Sequence, residues 1–509
     1  MSLYLTTPLY YVNDVPHIGH AYCTIVADVL CRYRRLFGEP VYFLTGTDEH
    51  GQKVEQSAKK LGRTPQEHVA LTRPRFEEVW KELEIEYDYF MCTSFDFHKI
   101  AVQKALQTLF EKGDIYSKAY KGLYCVGCEQ FYTEKDLQDS KCPVGHAVQE
   151  IEEKNYFFRM SKYQEGLIHH IEANPLFIRP TNRKNEVLGF LRQPLEDLCI
   201  SRPKSRLSWG IELPFDADYV TYVWFDALLN YITALGFNQD KTEAFERWWP
   251  HSTHLIGKDI LTTHAVYWTT MLMALGVPLP QGLFAHGWWL SPSSEKMSKS
   301  LGNVVRPLDV KNIVGVEPLR YFLVRDVHLG NDSQFSMELV VSRINAELAN
   351  NLGNLLSRTT NLITKYFGGL APGATETHAE TKALKTKALS TAEAVRKDIL
   401  DFSPNSAIGH VVDLLTEANR YLENLAPWKT AKDDLALAGE TLHTSLEVLR
   451  IAAGLLAPVM PQKMTELRRI LGAPEVIKFS EFSQWSVLSK GRPVQKATPL
   501  FPRIEAPVI

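Results

Sequence analysis

No apolar run in this chain approaches the roughly 18 residues that cross a bilayer, which argues against a membrane span. The N-terminus, MSLYLTTPLYYVN, lacks the charged start of a secretory signal and the Arg/Ser richness of a transit peptide. Cysteine is sparse. Seven among 509 residues make no disulfide framework, and the odd count points to a reducing compartment, so a cytoplasmic location is expected. There is no basic excess either: the net charge is −3. Any grip on nucleic acid must come from local patches such as RPTNRK (179–184) and SRPKSR (201–206), each of which also reads as a solvated loop. Internal repeats are absent. What is there is an ordinary globular composition, 45% hydrophobic and 23% charged. The length exceeds one hydrophobic core and implies two to four domains.

The segment LYLTT (3–7) reads as a short buried strand. Pro16 and Gly19 mark the entry to a helix through HAYCTIVADVLCRYRRLF, with Ala21, Ile25 and Val29 at helical spacing. PVYFLTGTDEHG (40–51) is a second apolar run that ends in an acidic, histidine-bearing turn. Strand, glycine turn, helix, strand opens a parallel α/β unit, whose ligands sit beyond the carboxyl ends of the strands. His17, His20, Asp48 and His50 fall there. Residues 116–160 differ, being aromatic and holding three cysteines. The α/β character returns from about 210, in YVTYVWFDALLNYI, HLIGKDILTTHAVYW and GLFAHGWWL. From about 345 the chain turns helical. Ile344, Leu348, Leu352, Leu355, Thr359 and Leu362 form one stripe, broken by GGLAPGA (368–374). Further amphipathic helices are expected near 381–400, 406–424 and 434–456, and the tail KGRPVQKATPLFPRIEAPVI reads as an extended closure. The expected division is 1–115 and 209–290 for the two halves of a doubly wound sheet, 116–208 for an insertion, 291–344 for a loop and connecting region, and 345–509 for an all-α bundle.

In VPHIGHAY (15–22), His17 and His20 stand three apart at a helix start. They could ligate a metal, serve as cap or packing residues, or bind phosphate. A helix N-terminus offers N–H groups and a positive dipole end, and Gly19 lets a ligand approach the backbone. EKMSKSLGN (295–303) carries Lys296 and Lys299 among small polar residues. It reads as a charged flexible loop or as a source of point charges for a phosphate chain in transfer.

Together, Pro-x-His-Ile-Gly-His and Lys-Met-Ser-Lys-Ser resemble the two signatures of class I aminoacyl-tRNA synthetases. TTPLYYVN, FLTGTDEHG, YVWFDALLNY, IGKDI, AHGWWL and NLAPWK resemble the methionyl-tRNA synthetase family, over nearly the whole chain. The resemblance implies a Rossmann-like parallel catalytic sheet split by a zinc-knuckle insertion and followed by a helical anticodon-binding bundle. It implies activation of methionine with ATP and Mg²⁺, and transfer to tRNA. His17, Gly19, His20, Gly257, Asp259, Lys296 and Lys299 then bind ATP, the two histidines and two lysines being the catalytic set. Leu9, Tyr11, Asp48, Trp224, Ala227, Tyr231, Ile260, His264 and Trp268 take methionine, with Asp48 on the ammonium and aromatic walls around a polarisable sulfur. Arg202 matches an arginine near that site. Asn354, Arg358 and Trp428 match anticodon contacts, where a ring stacks on a base and polar groups read its edge.

Cys125 and Cys128 form C-x-x-C; Cys142 and His146 follow. Four such ligands at knuckle spacing fit one closed structural zinc site. A redox pair or unrelated thiols are the alternatives. The family's fourth ligand usually falls three residues after the third cysteine, where this chain has Gly145, so His146 is one residue late. The chain ends soon after the bundle, and a monomer is expected. Other classes weighed are a different class I synthetase, a small-substrate nucleotidyltransferase, and a catalytically silent tRNA-binding or zinc module. The insertion is too short for an editing domain, the long bundle has no use in the second, and the intact His17, His20, Lys296 and Lys299 argue against the third.

Overall fold

The computed structural model describes residues 2–126, 130–132, 134–240, 242–295, 297, 304–373 and 375–505. Its centre is a parallel sheet. Leu3–Thr6 lies between Val41–Asp48 and Ser252–Gly257. Tyr89–Cys92 extends the sheet beyond Val41–Asp48, and Gly282–His286 then Ile178–Arg179 extend it on the other side. Every pairing is parallel. These strands are apolar on both faces because helices cover both. Leu3–Thr6 has a strand close in sequence on one side and one from far along the chain on the other, so the strand order reverses there. A crevice opens at such a switch point, beyond the carboxyl ends.

The expected helix is Ile18–Leu36, with Ala21, Ile25 and Val29 fully buried. The insertion is an antiparallel sheet in the order Gln130–Tyr132, Ile115–Cys125, Gln149–Phe158, Leu198–Cys199. The insertion is not separate from the core, since its segment Ile178–Arg179 returns as an edge strand of the catalytic sheet. Helices Asn354–Phe367, Ala379–Leu400, Pro404–Leu425 and Leu435–Leu456 form the bundle. The stripe from Ile344 to Thr359 is buried, and Gly368 ends the helix Asn354–Phe367 in the left-handed region at φ 63°. Leu435–Leu456 is buried on all sides from Ala438 onward, as a central helix must be. The extended tail packs back on the bundle, with Val494 N donating to Gly369 O and Ala497 N to Thr360 Oγ1.

The bundle and sheet share a buried junction. Arg320 reaches Asp28 at 2.5 Å and donates to the carbonyls of Val459 and Leu83. Tyr33 OH donates to Leu455 O at 2.8 Å. No helix among the described residues is long and apolar enough to cross a membrane.

Candidate active site

The two histidines of the opening motif sit at the start of Ile18–Leu36 and cap it. His17 Nδ1 accepts from Gly19 N at 3.1 Å, and His20 Nδ1 accepts from His17 N at 3.4 Å. The rings stack at 3.6 Å between centroids. With both Nδ1 atoms accepting, each ring carries a proton on Nε2. The helix start is less open than the sequence implied: Gly19 N is used by His17, and Ile18 N donates to Val305 O at 2.9 Å. Val305, which follows the lysine-bearing segment in sequence, is thereby tied to the start of the His17 helix. Lys296 and Lys299 themselves lie outside the described residues, as does Cys128.

Asp48 ends the strand Val41–Asp48 at the crevice and is 3% exposed. Thr93 Oγ1 accepts from Glu49 N at 2.9 Å and stands 3.4 Å from Asp48 Oδ1. Leu9, Tyr11, Trp224 and Ile260 are half-buried against the surrounding core, and Ala227, Tyr231, His264 and Trp268 are buried. The polar atoms of Tyr231 and His264 satisfy each other. Tyr231 OH donates to His264 Nε2 at 2.9 Å, and His264 Nδ1 donates to Ile260 O at 2.8 Å. Burial pushes the His264 imidazole down to about 4, so this wall is neutral at physiological pH. Trp224 meets His264 edge-on at 6.3 Å. Trp268 is fully buried behind this layer, its indole N–H donating to His254 Nε2 at 3.2 Å.

Gly257 and Asp259 follow the strand Ser252–Gly257. A Cβ on Gly257 would lie 2.6 Å from Asp259 Oδ1, so this backbone must be glycine for the carboxylate to sit where it does. Asp259 Oδ1 accepts from Trp288 Nε1 at 3.2 Å. Arg202 is no solvated loop residue. It is buried, lies over the rings of Tyr124 and Tyr222 at 5.0 and 4.7 Å, and so joins the insertion to the catalytic half.

In the insertion, Cys125, Cys142 and His146 place their ligand atoms within 4.8 Å of one another. His146 N donates to Cys142 Sγ at 3.3 Å, and Gly145 turns the chain at φ +88°, a conformation glycine adopts without strain. The extra residue that made His146 late in sequence is thus taken up by the turn. These three ligand atoms are close enough together to hold one metal ion. In the bundle, Asn354 and Arg358 share a helix face, and Arg358 lies over the half-buried Trp428 ring at 4.9 Å while pairing with Glu423.

Sequence reasoning missed two buried polar assemblies beside Asp48. Glu49 is held by Arg73 through two bonds of 2.6 and 2.5 Å. Asp226 is held by His50 and His98. The acidic, histidine-bearing turn pointed to one member of each, but the partners come from distant segments.

The fold and the paired signatures define a class I aminoacyl-tRNA synthetase, and comparisons with known proteins bear this out. The family model "tRNA synthetases class I (M)" matches residues 3–147 and 133–360, and the model "Anticodon binding domain of methionyl tRNA ligase" matches 372–507. Methionine–tRNA ligase of Caldanaerobacter subterraneus subsp. tengcongensis is 43% identical over 99% of this chain and 79% of its own length. That of Nostoc sp. is 42% identical over 98% and 97%. Methionyl-tRNA synthetase of Mycobacterium tuberculosis in complex with methionyl-adenylate superposes with a TM-score of 0.94 at 39% identity, covering 99% of this chain and 100% of that one. The chain belongs to the methionyl-tRNA synthetases of class I, and is a methionine–tRNA ligase.

Proposed function

We propose that methionine activation is carried out at the switch-point crevice by the following division of labour. His17 and His20 donate from Nε2 to the ATP phosphates beside Gly19, whose lack of a side chain leaves room for the His17 ring, and Asp259 accepts from the ribose hydroxyls beside Gly257. Lys296 and Lys299 neutralise the charge that develops at the α-phosphorus as pyrophosphate leaves. An in-line displacement of this kind needs positioning and charge stabilisation more than proton transfer. Mg²⁺ accompanying ATP screens its charge.

Asp48 accepts from the α-ammonium of methionine. Leu9, Tyr11, Trp224, Ala227, Tyr231, Ile260 and His264 surround the thioether, and Trp268 backs them. The observation that carries this reading is the pairing of a buried carboxylate with a pocket wall whose polar atoms, on Tyr231 and His264, are already bonded. Such a wall accepts an uncharged sulfur and penalises a polar side chain. Arg202 braces the floor between insertion and crevice.

Cys125, Cys128, Cys142 and His146 hold one structural zinc ion, which cross-links a part of the insertion that has little core of its own. The transfer step delivers methionine to the 3′ end of its tRNA, and Asn354, Arg358 and Trp428 recognise the unpaired anticodon bases. The enzyme works in the cytoplasm as a monomer. ATP–pyrophosphate exchange with each amino acid in turn, without tRNA, tests the site. Exchange with methionine alone supports the pocket assignment, and exchange with valine or leucine at comparable efficiency overturns it.

A further inference from the structure

Asp226 is 1% exposed and lies on the helix Val223–Thr233, between Trp224 and Tyr231. Both its oxygens are engaged. His50 Nδ1 meets Oδ2 at 2.6 Å, and His98 Nε2 meets Oδ1 at 2.8 Å. His50 and His98 are themselves 3% and 0% exposed. His98 Nδ1 stands 2.7 Å from Thr233 Oγ1, at the far end of the same helix. The tautomers follow. His50 presents a proton on Nδ1 and His98 one on Nε2 to the carboxylate, and Thr233 Oγ1 faces His98 Nδ1. Burial opposes charge on Asp226, but the two histidines hold its carboxyl below the usual range, so it stays ionised.

These three residues come from three segments. His50 belongs to the turn that follows Asp48, His98 to the helix Asp96–Glu111, and Asp226 to the helix that carries Trp224, Ala227 and Tyr231. The same turn is gripped from a second side, where Gly51 N donates to Trp209 O at 3.2 Å and the His50 ring lies 5.2 Å from that of Trp209. A carboxylate buried this deeply is costly unless both oxygens are satisfied, so its geometry admits little slack.

We propose that Asp226 is a positioning residue for methionine: through His50 it fixes the Asp48 turn against the pocket helix, setting the distance between the ammonium acceptor and the thioether wall. The proposal rests on the assignment of Asp48 to the ammonium. Asp226 touches neither end of the substrate; its effect is on where Asp48 stands relative to Trp224 and Tyr231.

The test is a double-mutant cycle of Asp226→Asn and Asp48→Asn in pyrophosphate exchange, with thermal unfolding of each variant. An asparagine in place of Asp226 removes the charge and offers one acceptor oxygen, so one imidazole must either lose its bond or change tautomer to accept from the amide. The expected result is a rise in KM for methionine of about tenfold with KM for ATP changed less than about twofold, and a double variant little worse than Asp48→Asn alone. His98→Gln, which leaves His50 on Asp226, gives the same pattern at a smaller size and serves if Asp226→Asn does not fold. An unchanged methionine KM in a folded variant, equal rises in both KM values, or full additivity with Asp48→Asn each overturns the positioning role. If Asp48→Asn alone leaves methionine KM unchanged, the ammonium assignment falls and the positioning role with it. If Asp48→Asn weakens methionine and Asp226→Asn does not, only the positioning role falls.

Discussion

The crevice at the end of the sheet and the face around Trp428 are built on opposite principles. Around the crevice, several buried polar groups are each tied to a partner from another segment: Tyr231 to His264, Asp226 to His50 and His98, and Glu49 to Arg73. At the bundle, Asn354 is exposed, Trp428 is half-buried, and Arg358 is held by a 3.2 Å contact to Glu423 and by the face of the ring. A reaction that stabilises charge at one atom profits from groups that are already in place. A surface that stacks on an unpaired base needs a π-face open to solvent before the base arrives. The contrast separates the two ends energetically, so lesions at one should leave the other's step largely intact.

The largest expected effect belongs to the catalytic end. If Lys299 holds the role proposed for it, a contact that strengthens in the transition state, Lys299→Ala should slow methionyl-adenylate formation by roughly 10²–10³-fold and leave methionine binding nearly unchanged. Single-turnover adenylate formation beside equilibrium methionine binding checks this. Loss of binding alone would mean that the lysine grips the ground state.

Trp428→Ala comes next. Stacking on one base is worth about 1–3 kcal/mol, so tRNA charging should fall by about 5- to 150-fold with pyrophosphate exchange retained. Equal loss in both assays would make Trp428 a packing residue, and the two ends would no longer be separable.

The last expected effect is on stability rather than catalysis and tests the frame that holds the bundle. Glu440 accepts from Thr375 and Thr377 hydroxyls and from the N–H groups of Thr377 and His378 at 3.1 and 3.0 Å. Burial opposes its charge, yet these donors, Thr375 first, pull its carboxyl down to about 2. A group depressed in the folded state adds stability that is complete above its unfolded value and is lost as pH falls toward the folded one. Glu440→Gln should therefore cost roughly 1–3 kcal/mol at neutral pH, and the gap to the unaltered protein should narrow as pH drops from about 4.5 toward 2. Chemical denaturation across that range reads it, and a gap independent of pH would show that charge plays no part.

Much of this was legible in the chain itself. Alternation of apolar runs with glycine turns placed the first strand, the His17 helix and the strand to Asp48, because each is a local pattern with a buried face. The stripe from Ile344 to Thr359 was equally plain. Capping was one of three readings the sequence left open for His17 and His20, and the fold shows their imidazoles accepting two N–H groups at the helix start. SRPKSR read equally as a nucleic-acid patch and as a solvated loop, yet Arg202 is buried over two tyrosines, one of them far earlier in the chain. The edge strand Ile178–Arg179 was hidden because two residues carry no periodicity.

The parallel α/β core, the helical C-terminal half, the family, and the residue types available to bind phosphate, thioether and base can all be read without coordinates. They follow from hydrophobic spacing and short motifs, which are properties of neighbours along the chain. Which buried charges meet is a matter of the folded molecule: Asp226 with His50 and His98, Arg320 with Asp28, and likewise the Val305 carbonyl with the start of the His17 helix. Ionisable groups can be buried only where a partner from elsewhere satisfies them, and partners that lie 128 to 292 residues apart are brought together by the fold alone.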